Sequence, residues 1–154
     1  MEGSWRSERR WIQDHILGRG RASKGSRNNN RLPHISSYVI GHWPVSDRIL
    51  VIKLRGQHFN ISIIQVYAPT SQSSESDIDN FYDDLDKAKD HCKSQEIIII
   101  MGDLNAKVGE GRFDNVVGEY GLGQRNERGE RFIEWSKANN QIISNTWFKN
   151  HPRR

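Results

Sequence analysis

The sequence predicts a mixed α/β (α+β) domain, and three observations carry that reading. Two alternating apolar runs, DRILVIKLRG and FNISIIQVY, flank a short turn; IIIIM, at 97–101, is wholly apolar; and two further stretches repeat apolar residues at helical spacing. At 154 residues the chain has the length of one ordinary domain.

In the first run Ile49, Val51 and Lys53 alternate with Leu50, Ile52 and Leu54, which predicts a largely buried strand over 49–54. Gly56-Gln57-His58 makes a turn. The second run sets Phe59, Ile61, Ile63 and Gln65 on one face and Asn60, Ser62, Ile64 and Val66 on the other, a strand over 60–66 antiparallel to the first. Pro69 stops it, because proline has no N–H for a ladder and restricts Ala68 before it. Past the loop 71–74, the capping pattern Ser74-x-x-Asp77 opens a helix over 75–93 with Ile78, Phe81, Tyr82, Leu85, Ala88 and Cys92 on one stripe. Its other face is acidic, with eight Asp+Glu to three Lys between Glu75 and Glu96, and reads as a solvated surface rather than a metal cluster. The strand over 96–101 is expected to be central and buried on both faces. A second helix is expected over 127–139, capped by Asn126 and burying Phe132, Ile133, Trp135 and Ala138, before a last strand-like stretch, QIISNTWF.

The charge is unevenly placed. Residues 1–34 carry eight Lys+Arg against three Asp+Glu, which leaves 15 against 16 for residues 35–154. The opening segment is rich in Arg, Ser, Gly and Asn, a composition that buries too little surface to fold alone, so 1–34 is expected to be a disordered basic leader and the domain to occupy 35–154. Such a leader either binds phosphates by counterion release or stays solvated without a partner. No apolar run approaches the roughly 18–20 residues of a membrane span, and MEGSWRSERRW lacks the apolar segment of a secretory signal. The expectation is therefore a soluble intracellular protein, nuclear or cytoplasmic, with no membrane partner. Cys92 is the single cysteine, which excludes an internal disulfide and a cysteine-built zinc site, and the six His lack metal spacing.

The sharpest local signal is IIIIMGDLNAKVG, in which Asp103 and Asn105 emerge at the carboxyl end of a strand, where ligands collect in α/β sheets. A carboxylate there orients or deprotonates water, and an amide donates to a developing oxyanion. The competing reading is an Asx-turn in which both merely cap backbone N–H groups. VYAPT likewise places Tyr67 at a strand's carboxyl end, where its hydroxyl can meet a phosphate or its ring can fill a half-buried core position.

In order along the chain, VYAPT, about thirty residues of helix, IIIIMGDLNAKVG, GLGQRNERGERFIEW and NTWF resemble the endonuclease/exonuclease/phosphatase superfamily. The particular form is similar to the apurinic-type endonuclease domain of RTE/BovB-class LINE retrotransposons and its host-genome copies. The resemblance covers roughly residues 38–148, and the ordered run of four motifs makes it specific. It implies part of a four-layer, DNase I-like α/β sandwich that cleaves DNA phosphodiesters with a divalent metal, usually Mg²⁺. By motif, Tyr67 resembles the tyrosine that contacts the scissile phosphate, Asp103 the aspartate that prepares the attacking water, and Asn105 the asparagine that stabilises the pentacovalent phosphorus. Arg125 and Asn126 fall where the family places substrate-contacting loop residues, with a surface charge pair of Arg125 and Glu127 as the alternative. His34, His42, His58 and His151 match no family position.

The family pattern also has a metal-binding glutamate before the equivalent of SSYVIGHW and a Ser-Asp-His cluster near its end, and neither is found here. Glu8, in SERRW, resembles the glutamate phrase only superficially. The expectations are weak Mg²⁺ binding, very low activity, and uncovered sheet edges that favour association. Three readings follow: an inactive piece of a retrotransposon-type endonuclease, a non-catalytic nucleic-acid-binding module, or an interaction module on the same sandwich.

Overall fold

The computed structural model describes residues 35–149, so the leader expected over 1–34, Glu8 included, lies outside the described residues. The chain divides into two compact units, one of residues up to 67 with 83–103 and one of 68–82 with residues from 104 on. Among the described residues the architecture is mixed α/β, as expected: a four-stranded mixed sheet and two α-helices.

In the first unit β1 (Val39–Pro44), β2 (Ile49–Leu54) and β3 (Ile61–Tyr67) form an antiparallel meander, and β4 (Ile97–Asp103) pairs with β3 in parallel, giving the order β1-β2-β3-β4. Helix α1 (Glu75–Asp90) supplies the crossover that a parallel pair requires. It stops short of residue 93 because the His91 and Cys92 N–H groups turn to the Ala88 and Lys89 carbonyls, three residues back. The β1 strand has no clear period in the sequence, since Gly41 sits at a register irregularity and Pro44 closes it.

Both faces of β2 are buried from Ile49 to Lys53, as expected of a largely buried strand. In β3 alternate residues Ser62, Ile64 and Val66 are buried opposite Lys53, Val51 and Ile49 of β2. Ile78, Phe81, Tyr82, Leu85 and Ala88 are the buried stripe of α1, as the spacing predicts, and Cys92 is half-buried beyond it. Strand β4 departs from expectation. It is an edge strand among the described residues, and its Ile97, Ile99 and Met101 are 50%, 43% and 49% exposed. An unbroken apolar run is what a strand covered on both faces needs, but among the described residues the face carrying Ile97, Ile99 and Met101 is left open, and only β3 pairs along its edge.

One charge lies within the buried face. Lys53 Nζ is 2.9 Å from Glu96 Oε1 and donates to the His91 carbonyl at 3.1 Å, with the two side chains 9% and 5% exposed. The other carboxylate oxygen of Glu96 accepts from the Ser62 hydroxyl at 2.8 Å and the Lys93 N–H at 3.1 Å. Trp43 lies beside them, its ring 5.7 Å from Lys53 Nζ and stacked on His91. Burial pushes the Glu96 carboxyl up, but the hydrogen bonds from Lys93, Lys53 and Ser62 and the Lys53 charge outweigh it and hold the value at about 2.

The second unit has its own core of Val116, Val117, Ile133 and Ile143, with Val108, Phe113 and Phe132 against it. Helix α2 (Glu127–Ala138) begins at the expected Asn126 cap and buries Gly129, Ile133, Trp135 and Ser136. Ala138 is exposed instead of buried, because five positions past Ile133 it falls on the far side of the helix. The stretch 141–148 is not a strand. Ile143 makes a single bridge to Val117, and the chain then tightens into a 3₁₀ turn, Ser144–Thr146, where the Thr146 hydroxyl donates to the Ile143 carbonyl and accepts from the Gly118 N–H. No described helix is long and apolar enough to cross a membrane.

The Lys53–Glu96 pair yields a stability prediction. Its carboxylate titrates below its ordinary value in the folded chain, so the stability it adds is complete above about pH 4.5 and is lost as the pH falls toward 2. Glu96→Gln is expected to cost roughly 3–5 kcal/mol by leaving Lys53 buried without its counter-charge. It should also flatten the acid limb of the stability curve. Denaturant unfolding of both proteins across that pH range tests this, and identical acid limbs would contradict it.

Candidate functional site

Because β3 and β4 run parallel, their carboxyl ends fall at one end of the sheet, and their last rung pairs Tyr67 with Asp103. Thirty-six residues of sequence separate these two. Tyr67 is half-buried and Asp103 exposed. One rung earlier Val66 faces Gly102, whose φ of 135° lies where side chains are strongly disfavoured and whose missing Cβ would stand 1.9 Å from the Val66 carbonyl oxygen. The glycine of the GDLN phrase therefore permits the close approach that delivers Asp103 beside Tyr67.

Asn105 is described within the second unit. It holds a left-handed φ of 48°, a conformation asparagine tolerates better than most residues, and its Nδ2 donates to the Ala68 carbonyl at 2.8 Å. That is a tertiary tie across 37 residues of sequence. Ala68 and Pro69, the residues that end the VYAPT strand, are themselves buried. Of the three residues singled out from the motifs, the structure pairs Tyr67 with Asp103 and anchors Asn105 through Ala68.

Arg48 carries no sequence signal, yet its side chain lies beside this strand end. Its N–H donates to the Ser46 hydroxyl at 3.3 Å and its carbonyl accepts from the Tyr67 N–H at 3.0 Å. The guanidinium lies 5.8 Å from the centre of the Tyr67 ring, with Nη1 3.4 Å from the Tyr67 carbonyl oxygen. The hairpin register could have found it, since Ile49 pairs with Val66 and the preceding residue must then flank Tyr67.

Arg125 and Asn126 are both engaged in the loop's own architecture. Arg125 Nε donates to the Val108 carbonyl at 2.8 Å, Nη1 is 3.3 Å from Glu130 rather than paired with Glu127, and the guanidinium lies over Phe113. The Asn126 side-chain oxygen accepts from Gly129 N–H at 2.8 Å, capping α2, and from Lys107 N–H at 3.0 Å. The acidic face of α1 is partly tied within the second unit: Glu75 pairs with Arg128 and Asp79 with Arg131. Among the described residues no three His, Cys, Asp or Glu side chains converge as metal ligands.

No family model matches the chain. It is 37% identical over 120 residues to craniofacial development protein 2 of Bos taurus and 35% identical over 120 residues to the protein of that name from Tragulus javanicus, 78% of this chain in both cases. The chain spans about a fifth of the length of these curated relatives.

Two substitutions test the local geometry. Gly102→Ala should cost roughly 1–3 kcal/mol in denaturant unfolding, because no side chain fits between that backbone and Val66. Asn126→Ala should cost roughly 1–2 kcal/mol through loss of the helix cap and of the Lys107 tie. A neutral result at either position would show that the backbone relaxes without loss.

Proposed function

We propose that the chain is a piece of a retrotransposon-type endonuclease domain of the endonuclease/exonuclease/phosphatase superfamily, whose end of the β3/β4 pair addresses a DNA phosphodiester. The observation that carries this is the last rung of the sheet, where a tyrosine and an aspartate 36 residues apart in sequence stand at adjacent strand ends. In this reading the Tyr67 hydroxyl contacts a phosphate oxygen, Asp103 orients the attacking water and takes its proton, and Asn105 stabilises the charge that develops on phosphorus. The motif order and the likeness to the two relatives over 120 residues are consistent with it.

The superfamily's Mg²⁺ demands near-octahedral oxygen coordination, and one carboxylate with water holds it weakly. The described residues offer no cluster of three ligand side chains and do not fit such a site by themselves. Their proposed share of the chemistry is phosphate contact and the preparation of water. The eight Lys+Arg in residues 1–34 favour a second reading, a nucleic-acid-binding module without catalysis.

In Mg²⁺ the 154-residue chain should nick abasic-site DNA no faster than its Asp103→Ala variant. Nicking that the substitution abolishes would show that the chain is active and would direct the search for a metal ligand to Glu8 or the acidic helix. Nicking undiminished in Asp103→Ala would remove Asp103 from the chemistry. Salt titration of DNA binding separates the second reading, since binding through a basic segment weakens steeply as log[salt] rises.

A further inference from the structure

Strand β4 carries its open apolar residues in one line. Ile97, Ile99 and Met101 are spaced two apart and so share a face, where they stand 50%, 43% and 49% exposed beside the half-buried Ile61, Ile63 and Gln65 of β3. Gly102, which has only main chain to show, is exposed as well. Natural sheets blunt an outer strand with proline, charge or a bulge, and β1 has two of these devices in Pro44 and the register irregularity at Gly41. The run 97–101 has none of them, since it contains no charge and no proline and its pairing with β3 runs without a shift. The carboxylate next to it, Glu96, is spent on Lys53.

Size and charge decide what can cover this line. Three residues about half exposed amount to roughly 300 Å², well short of the roughly 800 Å² per partner of a stable interface, so packing on the face alone is too little. Pairing along the strand edge adds main-chain hydrogen bonds to the burial of the same side chains. An uncharged aliphatic line offers a charged partner nothing to complement, whereas it is complementary to itself. We propose that the edge of β4 is a self-association site, at which two copies of this chain pair β4 antiparallel about a two-fold axis at Ile99 and continue the four-stranded sheet across the axis. The run itself places the axis. With Ile99 opposite the partner's Ile99, Ile97 meets the partner's Met101, and the open residues of both copies cover one another on a single face. Glu96 then falls opposite the partner's Gly102 and Asp103 opposite the partner's Gln95, so no like charges are set against each other.

The test is sedimentation equilibrium of the full chain in reducing buffer, with cysteine cross-linking to read the register. The expected result is a reversible monomer–dimer equilibrium. Ile99→Lys, which brings two ammonium groups together on the axis, should weaken it by about tenfold or more, and Ile99→Thr, still β-branched but less apolar, should weaken it less. In a Cys92→Ser background, Ile99→Cys alone should form an intermolecular disulfide on oxidation, because its Cβ faces its own copy across the axis. Ile97→Cys alone should not, whereas Ile97→Cys combined with Met101→Cys should. A chain still monomeric at about 1 mM, open-ended assembly in place of a dimer, or a dimer that Ile99→Lys leaves intact overturns the proposal. Cross-linking of Ile97→Cys alone as readily as of Ile99→Cys also overturns it, since the axis is then elsewhere. If Ile99→Lys fails to fold, the cross-linking pattern decides.

Discussion

The buried pair of Lys53 and Glu96 sets the register on which the rest of the first unit depends. A buried lysine near the end of a strand is tolerable only if a carboxylate reaches it, and Glu96 does so from the residue immediately before β4. The same carboxylate takes the Ser62 hydroxyl, and the Ile97 N–H reaches the Asn60 carbonyl, so the start of β4 is fixed against β3. Every later rung follows from that start. A slip of one residue would set Gly102 or Leu104 opposite Tyr67 and turn each β4 side chain to the other face. The placement of Asp103 beside Tyr67 is thus decided by an electrostatic demand at the opposite end of the strand.

The second unit is held by a different kind of contact. Arg128 and Arg131 of α2 reach Glu75 and Asp79 of α1, and the Arg131 guanidinium also lies over the Tyr82 ring. Tyr82 packs in turn against Phe81 and Trp135. Burial pushes its hydroxyl up to about 12, against the opposing charges of Arg131 and Arg128, so it stays neutral at any physiological pH. The exposed ion pairs contribute little each, and the aromatic packing beneath them carries most of the contact.

Where an element's period and its surroundings agree, the sequence was readable. The β2/β3 hairpin, the buried stripe of α1 and the Asn126 cap all follow from local pattern. The misread parts depend on partners that no local pattern records. The run 97–101 is as apolar as a doubly covered strand, but coverage is a property of neighbours, and here Ile97, Ile99 and Met101 are open. QIISNTWF has strand-like composition, yet the Thr146 hydroxyl captures backbone groups that a ladder would have used. At the candidate site Tyr67 and Asp103 were legible because their motifs are local phrases. Arg48 was not, because only the register of the hairpin brings it to Tyr67.

The parallel pairing of β3 with β4 also orders events in time. The β1–β3 meander is complete once residue 67 has been made, and its pairings are between near neighbours in sequence, the kind that form quickly. Lys53 at that moment faces the future interior without a counter-charge, since Glu96 lies beyond a helix that has yet to form. The meander by itself offers that cation no carboxylate among the described residues it pairs, and Glu96 supplies one from the residue just before the α1–β4 segment's last strand. Burial of Lys53 is therefore favourable only in a chain that also carries the segment bearing Glu96 and, seven residues on, Asp103.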